Sequence, residues 1–124
     1  MERKWKTGDA ELLIQMEELQ GKTVGILGLG RIGSEIAKKS RCLGMKVIAT
    51  RRNVAAPMPD CIDKLVPPEN LKDLLAESDF VVVSVPLTKD TEGMIGEMEL
   101  KAMKSTAYLI NISRGNLVRE EKLI

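Results

Sequence analysis

The feature that most constrains the fold of this chain is a short apolar run followed by three closely spaced glycines. The run covers residues 24–27, and Gly28, Gly30 and Gly33 follow in a G-x-G-x-x-G spacing. The pattern predicts a buried strand, a tight turn and the start of a helix. Gly28 permits the turn, Gly30 lets the main chain approach a pyrophosphate, and Gly33 permits close packing of helix on strand. A dinucleotide-binding loop is therefore expected, and a plain strand–turn–helix connection is the alternative.

The main chain between the glycines supplies the candidate anion-binding groups. Leu29, Arg31 and Ile32 would lie where N–H groups without helical partners, and the positive end of the helix dipole, face a ligand. The whole loop from Gly28 to Gly33 is thus a candidate coenzyme site.

Composition excludes several other classes of protein. The 124 residues carry 19 basic and 18 acidic side chains and only three aromatic ones, so neither a basic surface nor a stacking platform for nucleic acid is expected. Apolar runs are too short to cross a membrane, and no signal-peptide pattern opens the chain. Cys42 and Cys61 lack CxxC spacing, so neither a zinc site nor a disulfide framework is predicted. We expect a cytoplasmic protein of one domain.

The sequence contains no histidine, the usual side chain for proton transfer near neutral pH. Any acid–base chemistry would need another group, another chain or a part of the protein outside this sequence.

The chain divides into a leading helix, residues 1–20, and a dinucleotide-binding domain, residues 21–124. In the leading helix Asp9 can cap an apolar stripe that includes Leu12, Met16 and Leu19. That stripe either joins the core or forms an arm that packs on a second domain or subunit. The domain ends within a helix that begins near Leu117, so we expect it to be incomplete at its C-terminus.

The elements of the domain alternate between strand and helix. Strands are predicted at residues 24–27, 45–50, 62–66, 80–85 and 107–111, the third as a short edge strand and the last as a buried one. Helices are predicted at 31–43, 67–77 and 96–103. The first has a buried face made by Ile32, Ile36, Ala37, Cys42 and Leu43. This alternation predicts an α/β fold with a doubly wound parallel sheet.

Two arginines follow the second strand. A fold of this kind that prefers NAD usually places an acid there to bind the adenosine ribose, but here the chain has Arg51 and Arg52. Because a guanidinium pairs well with phosphate, Arg51 favours NADP(H). The alternative is that both arginines are solvated and NAD binds without the acid.

Two further loops should reach the same carboxyl edge of the sheet, where ligands bind. The first, after the fourth strand, should border the nicotinamide, and the second follows the fifth strand. Arg114 in the second loop could bind a carboxylate, or it could be an ordinary surface arginine. The candidate coenzyme contacts of these loops are Val85, Pro86, Thr91, Ile112 and Ser113.

Three segments together, residues 21–33, 80–91 and 108–115, closely resemble the NAD(P)-binding domain of the D-isomer-specific 2-hydroxyacid dehydrogenases. The resemblance implies hydride transfer between NAD(P)(H) and C2 of a small 2-keto or 2-hydroxy acid. It assigns Arg114 to the substrate carboxylate and carbonyl, and it implies a homodimer. The family's general acid–base histidine and its partner glutamate normally lie beyond the end of this sequence.

The resemblance also implies that a substrate domain is absent here, so we expect a fragment that does not turn over. Arg51 departs from the family's common acid, and Arg119 stands where aspartate is frequent. A second hypothesis is a dinucleotide-sensing interaction protein, as in coenzyme-dependent corepressors related to these enzymes. A downstream glutamate followed by a Pro-His pair would favour the enzyme.

Overall fold

A computed structural model of the protein describes residues 18–51, 57–85 and 95–112. The described residues contain five strands: β1 (Thr23–Leu27), β2 (Lys46–Thr50), β3 (Lys64–Val66), β4 (Phe80–Val83) and β5 (Tyr108–Asn111). They also contain three α-helices: α1 (Arg31–Cys42), α2 (Leu71–Glu77) and α3 (Glu97–Ala102). A 3₁₀ turn, Pro68–Asn70, leads into α2.

The five strands form one sheet in the order β3-β2-β1-β4-β5, and every pair is parallel. The chain therefore moves outward in one direction from β1 to β3 and in the other from β4 to β5. Right-handed crossovers then place the helices on opposite faces. The prediction of a doubly wound parallel sheet is confirmed, and the strand order reverses between β1 and β4.

Each face of the sheet carries its own apolar cluster. Ala37 of α1 packs with Val24, Ile26 and Val47 on one face, here called the α1 face. Leu74 and Leu75 of α2 pack on the other, the α2–α3 face, with residues that include Leu27, Ile48, Val81 and Val83. The central strands are apolar on both sides because both sides are covered.

The buried face of α1 differs from the predicted one. Gly33, Ala37 and Ser40 are buried, whereas Ile32 is 60% exposed and Cys42 is exposed. Small residues three or four apart let the helix lie close to the sheet, and larger neighbours are left at its margins. The prediction that Ile32 and Cys42 face the core was wrong.

Strand β5 is also more exposed than predicted. Tyr108 and Ile110 are 38% and 43% exposed, although Leu109 packs against the α2–α3 face. Because β5 is the outermost strand of the described sheet, helix α3 covers one side of it and leaves the other open. Strand β4 ends at Val83, two residues before the predicted end.

Most of the leading segment lies outside the described residues, as does the helix predicted from Leu117. Residues 18 and 19 are helical, and Leu19 packs against the α1 face. The division into residues 1–20 and 21–124 stays a prediction.

Two carboxylates accept hydrogen bonds from backbone N–H groups at the amino edge of the sheet. Asp79 Oδ2 accepts the N–H of Thr23 at 2.9 Å, and Asp63 Oδ2 accepts that of Val47 at 2.7 Å. These backbone donors, assisted by Lys104 beside Asp79 and Arg41 beside Asp63, lower the pKa of both carboxyls. Asp63 and Asp79, which accept these backbone hydrogen bonds, thus lie at the edge of the sheet opposite to the glycine loop.

Candidate coenzyme-binding site

The glycine loop lies at the carboxyl edge of the sheet, beside the point where strand order reverses. Gly28 follows β1 directly and has a φ of +97°, a conformation that glycine adopts without strain. A Cβ added at Gly28 would lie 2.5 Å from Val85 Cγ1. The turn therefore needs glycine for both its backbone conformation and its space.

Gly33 lies where the first turn of α1 crosses the end of β1. A Cβ there would collide with the carbonyl oxygen of Gly28 and lie 2.9 Å from Ser84 Oγ and 3.3 Å from Ile26 Cγ2. This geometry agrees with the predicted packing role of Gly33, because any side chain would push the helix off the strand.

Gly30 differs from both, because it faces open space. It caps α1 with φ −96° and ψ −156°, and a Cβ added to it would meet, apart from its chain neighbours, no atom of the described residues within 4 Å. No side chain caps the helix, and no acidic residue lies in its first turn. The first helical hydrogen bond, from Ser34 N–H to Gly30 O at 2.9 Å, leaves the preceding N–H groups of this 12-residue helix available for an anion.

Two hydroxyl side chains that the sequence analysis did not select contact the loop. Ser84 Oγ donates to the carbonyl oxygen of Gly28 at 2.7 Å, and Thr50 Oγ1 accepts the N–H of Gly28 at 3.3 Å. Ser84 follows β4 and Thr50 ends β2, the two neighbours of β1. The sequence places a hydroxyl at the carboxyl end of each of these strands, but this indicates a contact with Gly28 only once the strand order is known.

Arg51 lies at the same edge, one residue beyond Thr50, which is in register with Leu27. It is partly buried, and its Nη2 donates to the carbonyl oxygen of Pro57 at 3.3 Å. Its predicted neighbour in the site, Arg52, lies outside the described residues.

Two other predicted contacts are described. Val85 lies against Gly28, and Ile112 N–H donates to the carbonyl of Val83 at 3.1 Å, which brings the end of β5 next to that of β4. The structure thus gathers the glycine loop, Arg51, Val85 and Ile112 at one edge. The remaining predicted site residues lie outside the described residues: Pro86, Thr91, Ser113 and Arg114.

Other kinds of site find little support in the described part of the chain. Among residues 18–51, 57–85 and 95–112, His, Cys, Asp and Glu side chains form no group of three that could hold a metal. Cys42 and Cys61 are free thiols. None of the described helices is both long and apolar enough to cross a membrane.

Comparison with known proteins identifies relatives of the whole chain. The family model described as the D-isomer specific 2-hydroxyacid dehydrogenase, NAD binding domain, matches residues 1–124. A glyoxylate reductase of Thermococcus gammatolerans is 45% identical over 113 residues, which is 91% of this chain and 33% of that protein. The chain thus spans about a third of the length of the curated relatives it matches.

Two solved structures with bound coenzymes are similar to the fold described above. The NAD-complexed D-isomer specific 2-hydroxyacid dehydrogenase of Lactobacillus delbrueckii ssp. bulgaricus has a TM-score of 0.71 and 38% identity, over 82% of this chain and 30% of that one. An acyclic imino acid reductase in complex with NADPH and D-Arg has a TM-score of 0.75 and 34% identity, over 86% of this chain and 33% of that one.

Proposed function

Because this chain belongs to the D-isomer specific 2-hydroxyacid dehydrogenases, as their NAD-binding domain, we propose that its glycine loop binds the pyrophosphate of a nicotinamide dinucleotide. The observation that carries the proposal is the open start of α1, where, among the described residues, the N–H groups beside Gly30 meet no side-chain cap and the first turn carries no acid. Gly28 and Gly33 bring the main chain to this position by close packing. A coenzyme bound there would supply the hydride.

We propose that the whole protein transfers this hydride to and from C2 of a small 2-keto or 2-hydroxy acid. The curated relative named glyoxylate reductase supports this class of substrate. Arg114 would bind the substrate carboxylate and carbonyl through its two parallel donors. These 124 residues contain no histidine, and we propose that the proton donor is a histidine in another part of the whole protein.

For the coenzyme, we propose a preference for NADP(H) over NAD(H), with Arg51 binding the 2′-phosphate. Arg51 lies at the end of β2, next to the glycine loop, where an acid would bind the ribose in an NAD-preferring domain. A guanidinium is a planar cation whose N–H donors match the oxygens of a phosphate. The NADPH complex of the similar imino acid reductase supports this choice.

Calorimetric titration with NADPH and NADH tests both parts of the proposal. We expect NADPH to bind more tightly, and we expect Arg51→Asp to reverse the order because a carboxylate repels the 2′-phosphate and accepts the ribose hydroxyls. Lys72→Asp is the matched control: it makes the same change of charge at an exposed position on α2 and should leave the order unchanged.

If the parent chain bound NADPH and NADH equally tightly, the proposed role of Arg51 would be contradicted, but the coenzyme site would stand. Failure of both dinucleotides to bind would contradict the coenzyme site itself.

We further propose a cytoplasmic homodimer. The free thiols of Cys42 and Cys61 support a reducing compartment. Tyr108 and Ile110 of β5 and Ile112, just after it, lie at alternate positions and are 38–44% exposed, so they form an apolar row on one side of the chain. In the proposed dimer a second copy of the chain covers that row, because an exposed apolar row of this kind is typical of an interaction surface.

A further inference from the structure

We propose that Ser84 and Thr50 are positioning residues which together fix the orientation of the Gly28 backbone and so shape the phosphate-binding loop. The inference rests on the proposed coenzyme site and goes beyond it, since it assigns both hydroxyls to the backbone of Gly28. The two side chains come from opposite neighbours of β1, and both bind the same glycine.

Ser84 holds the carbonyl side of Gly28. Its backbone N–H donates to the carbonyl of Leu27 at 2.9 Å, which fixes the serine beside the end of β1. Its single hydroxyl proton is shared between the Gly28 carbonyl at 2.7 Å and the Leu27 carbonyl at 3.2 Å, and the shorter bond is the stronger.

The direction of the Gly28 carbonyl determines whether its negative end points toward or away from an anion bound in the loop. The Gly28 oxygen lies so near Gly33 that a Cβ on Gly33 would collide with it, so the carbonyl points under the first turn of α1. A rotated carbonyl would bring its negative end toward the loop, where N–H groups should face the phosphate. The Ser84 hydroxyl holds the oxygen in the favourable direction.

Thr50 holds the amide side of the same residue. The Gly28 N–H donates to Thr50 Oγ1 at 3.3 Å, and Thr50 is only 5% exposed, so this bond lies where water competes poorly. The Gly28 N–H is therefore already used within the protein. The donors left for a phosphate are those of the residues that follow, from Leu29 into the first turn of α1.

Glycine needs such restraints more than other residues do. With no Cβ, Gly28 at φ +97° can reach many neighbouring conformations at little cost. Hydrogen bonds on both its carbonyl and its N–H select one of them before the coenzyme arrives, and a preorganised loop loses less entropy on binding. Removing either hydroxyl should weaken binding of the pyrophosphate, the part that NADH and NADPH share.

The test is calorimetric titration of the 124-residue chain with NADH and NADPH. We expect Ser84→Ala and Thr50→Val each to raise both dissociation constants about five- to tenfold, which lies within the range for one hydrogen bond lost. Thr50→Ser keeps the hydroxyl and should stay within about twofold of the parent. This rescue by the conservative variant separates positioning from packing.

Ser78→Ala is the matched control. Ser78 is fully buried, and its Oγ donates to the carbonyl of Leu74 at 2.7 Å, the same chemistry and distance as in Ser84. It lies just before β4, at the opposite edge of the sheet. Ser78→Ala should lower the melting temperature without changing either dissociation constant at a temperature where the chain is folded.

The possible results separate this inference from the proposed function. If the parent chain binds dinucleotide and both hydroxyl deletions bind as tightly, the inference is wrong and the coenzyme site stands. A loss confined to NADPH also contradicts it, because the pyrophosphate is common to both coenzymes. If the parent binds neither coenzyme, both proposals fail. If Ser84→Ala does not fold, the comparison of Thr50→Val with Thr50→Ser decides the matter.

Discussion

Replacing Gly30 with alanine should remove coenzyme affinity while leaving the fold intact. The residue has φ −96° and ψ −156°, which alanine also adopts, and within the described part of the chain its Cβ would meet no atom within 4 Å other than those of its chain neighbours. Alanine is a poorer helix cap than glycine by roughly 0.5–1 kcal/mol. It also restricts the unfolded chain, which offsets that loss by about 0.4–1 kcal/mol. The free energy of unfolding should therefore change by less than about 0.5 kcal/mol.

The effect on binding should be much larger. A methyl group at Gly30 would occupy the space through which the main chain approaches the pyrophosphate. Losing one hydrogen bond to a charged group costs about 1.5–3 kcal/mol, which corresponds to a dissociation constant roughly 10- to 150-fold weaker. Calorimetry with NADPH measures this change, and urea unfolding monitored by circular dichroism measures stability.

Gly33→Ala is the contrasting variant. Its Cβ would collide with the Gly28 carbonyl and crowd Ser84 and Ile26, which should cost about 1–3 kcal/mol of folding free energy. For a chain of this size the melting temperature should fall by roughly 5–15 °C. If Gly30→Ala bound NADPH as tightly as the parent, or if it lost stability as Gly33→Ala does, the assignment of the open loop to the pyrophosphate would be refuted.

Three further predictions concern stability, activity and assembly. The pKa of Asp79 is lowered in the folded state, chiefly by the Thr23 N–H, so its stabilisation is present above the unfolded pKa and lost as pH falls through the folded one. Urea midpoints should therefore drop below about pH 4, and Asp79→Asn should flatten that dependence; an unchanged profile would contradict the assignment. The chain mixed with glyoxylate and NADPH should show no steady loss of absorbance at the coenzyme's near-ultraviolet band, because the sequence has no histidine; sustained oxidation would overturn this expectation. Ile110→Lys should convert a dimer to a monomer in light scattering, since it places a charge in an exposed apolar row, whereas Lys101→Glu on α3 should not.

Periodicity and glycine spacing were sufficient to predict the sheet. Strand β4 is apolar at consecutive positions, as expected where both faces of a parallel sheet are covered. The same pattern gave a wrong prediction at β5. Its apolar residues predicted a buried strand, but Tyr108 and Ile110 are exposed because only one side of that edge strand is covered. An apolar run shows that a strand exists, but it does not show how many of its sides are covered.

The candidate site could be predicted where its residues lie close together in the sequence. The spacing of Gly28, Gly30 and Gly33 located the loop, and Arg51 was placed correctly at the end of β2. Ser84 and Thr50 could not be selected in this way. Each lies more than 20 residues from Gly28 in sequence, and an isolated hydroxyl after a strand gives no signal until the strand order is known.

The proposed coenzyme site requires a phosphate group at the start of α1. The most direct measurement is a ¹⁵N–¹H correlation spectrum of the labelled chain during titration with NADPH. The largest amide shifts should fall on Leu29, Gly30 and Arg31, whose N–H groups would bind the pyrophosphate, while Gly21 and Gly44 at the amino edge should stay unchanged. Binding of the pyrophosphate at the start of α1 is contradicted if saturating NADPH leaves the chemical shifts of the loop amides unchanged, or if the largest shifts appear at the amino edge.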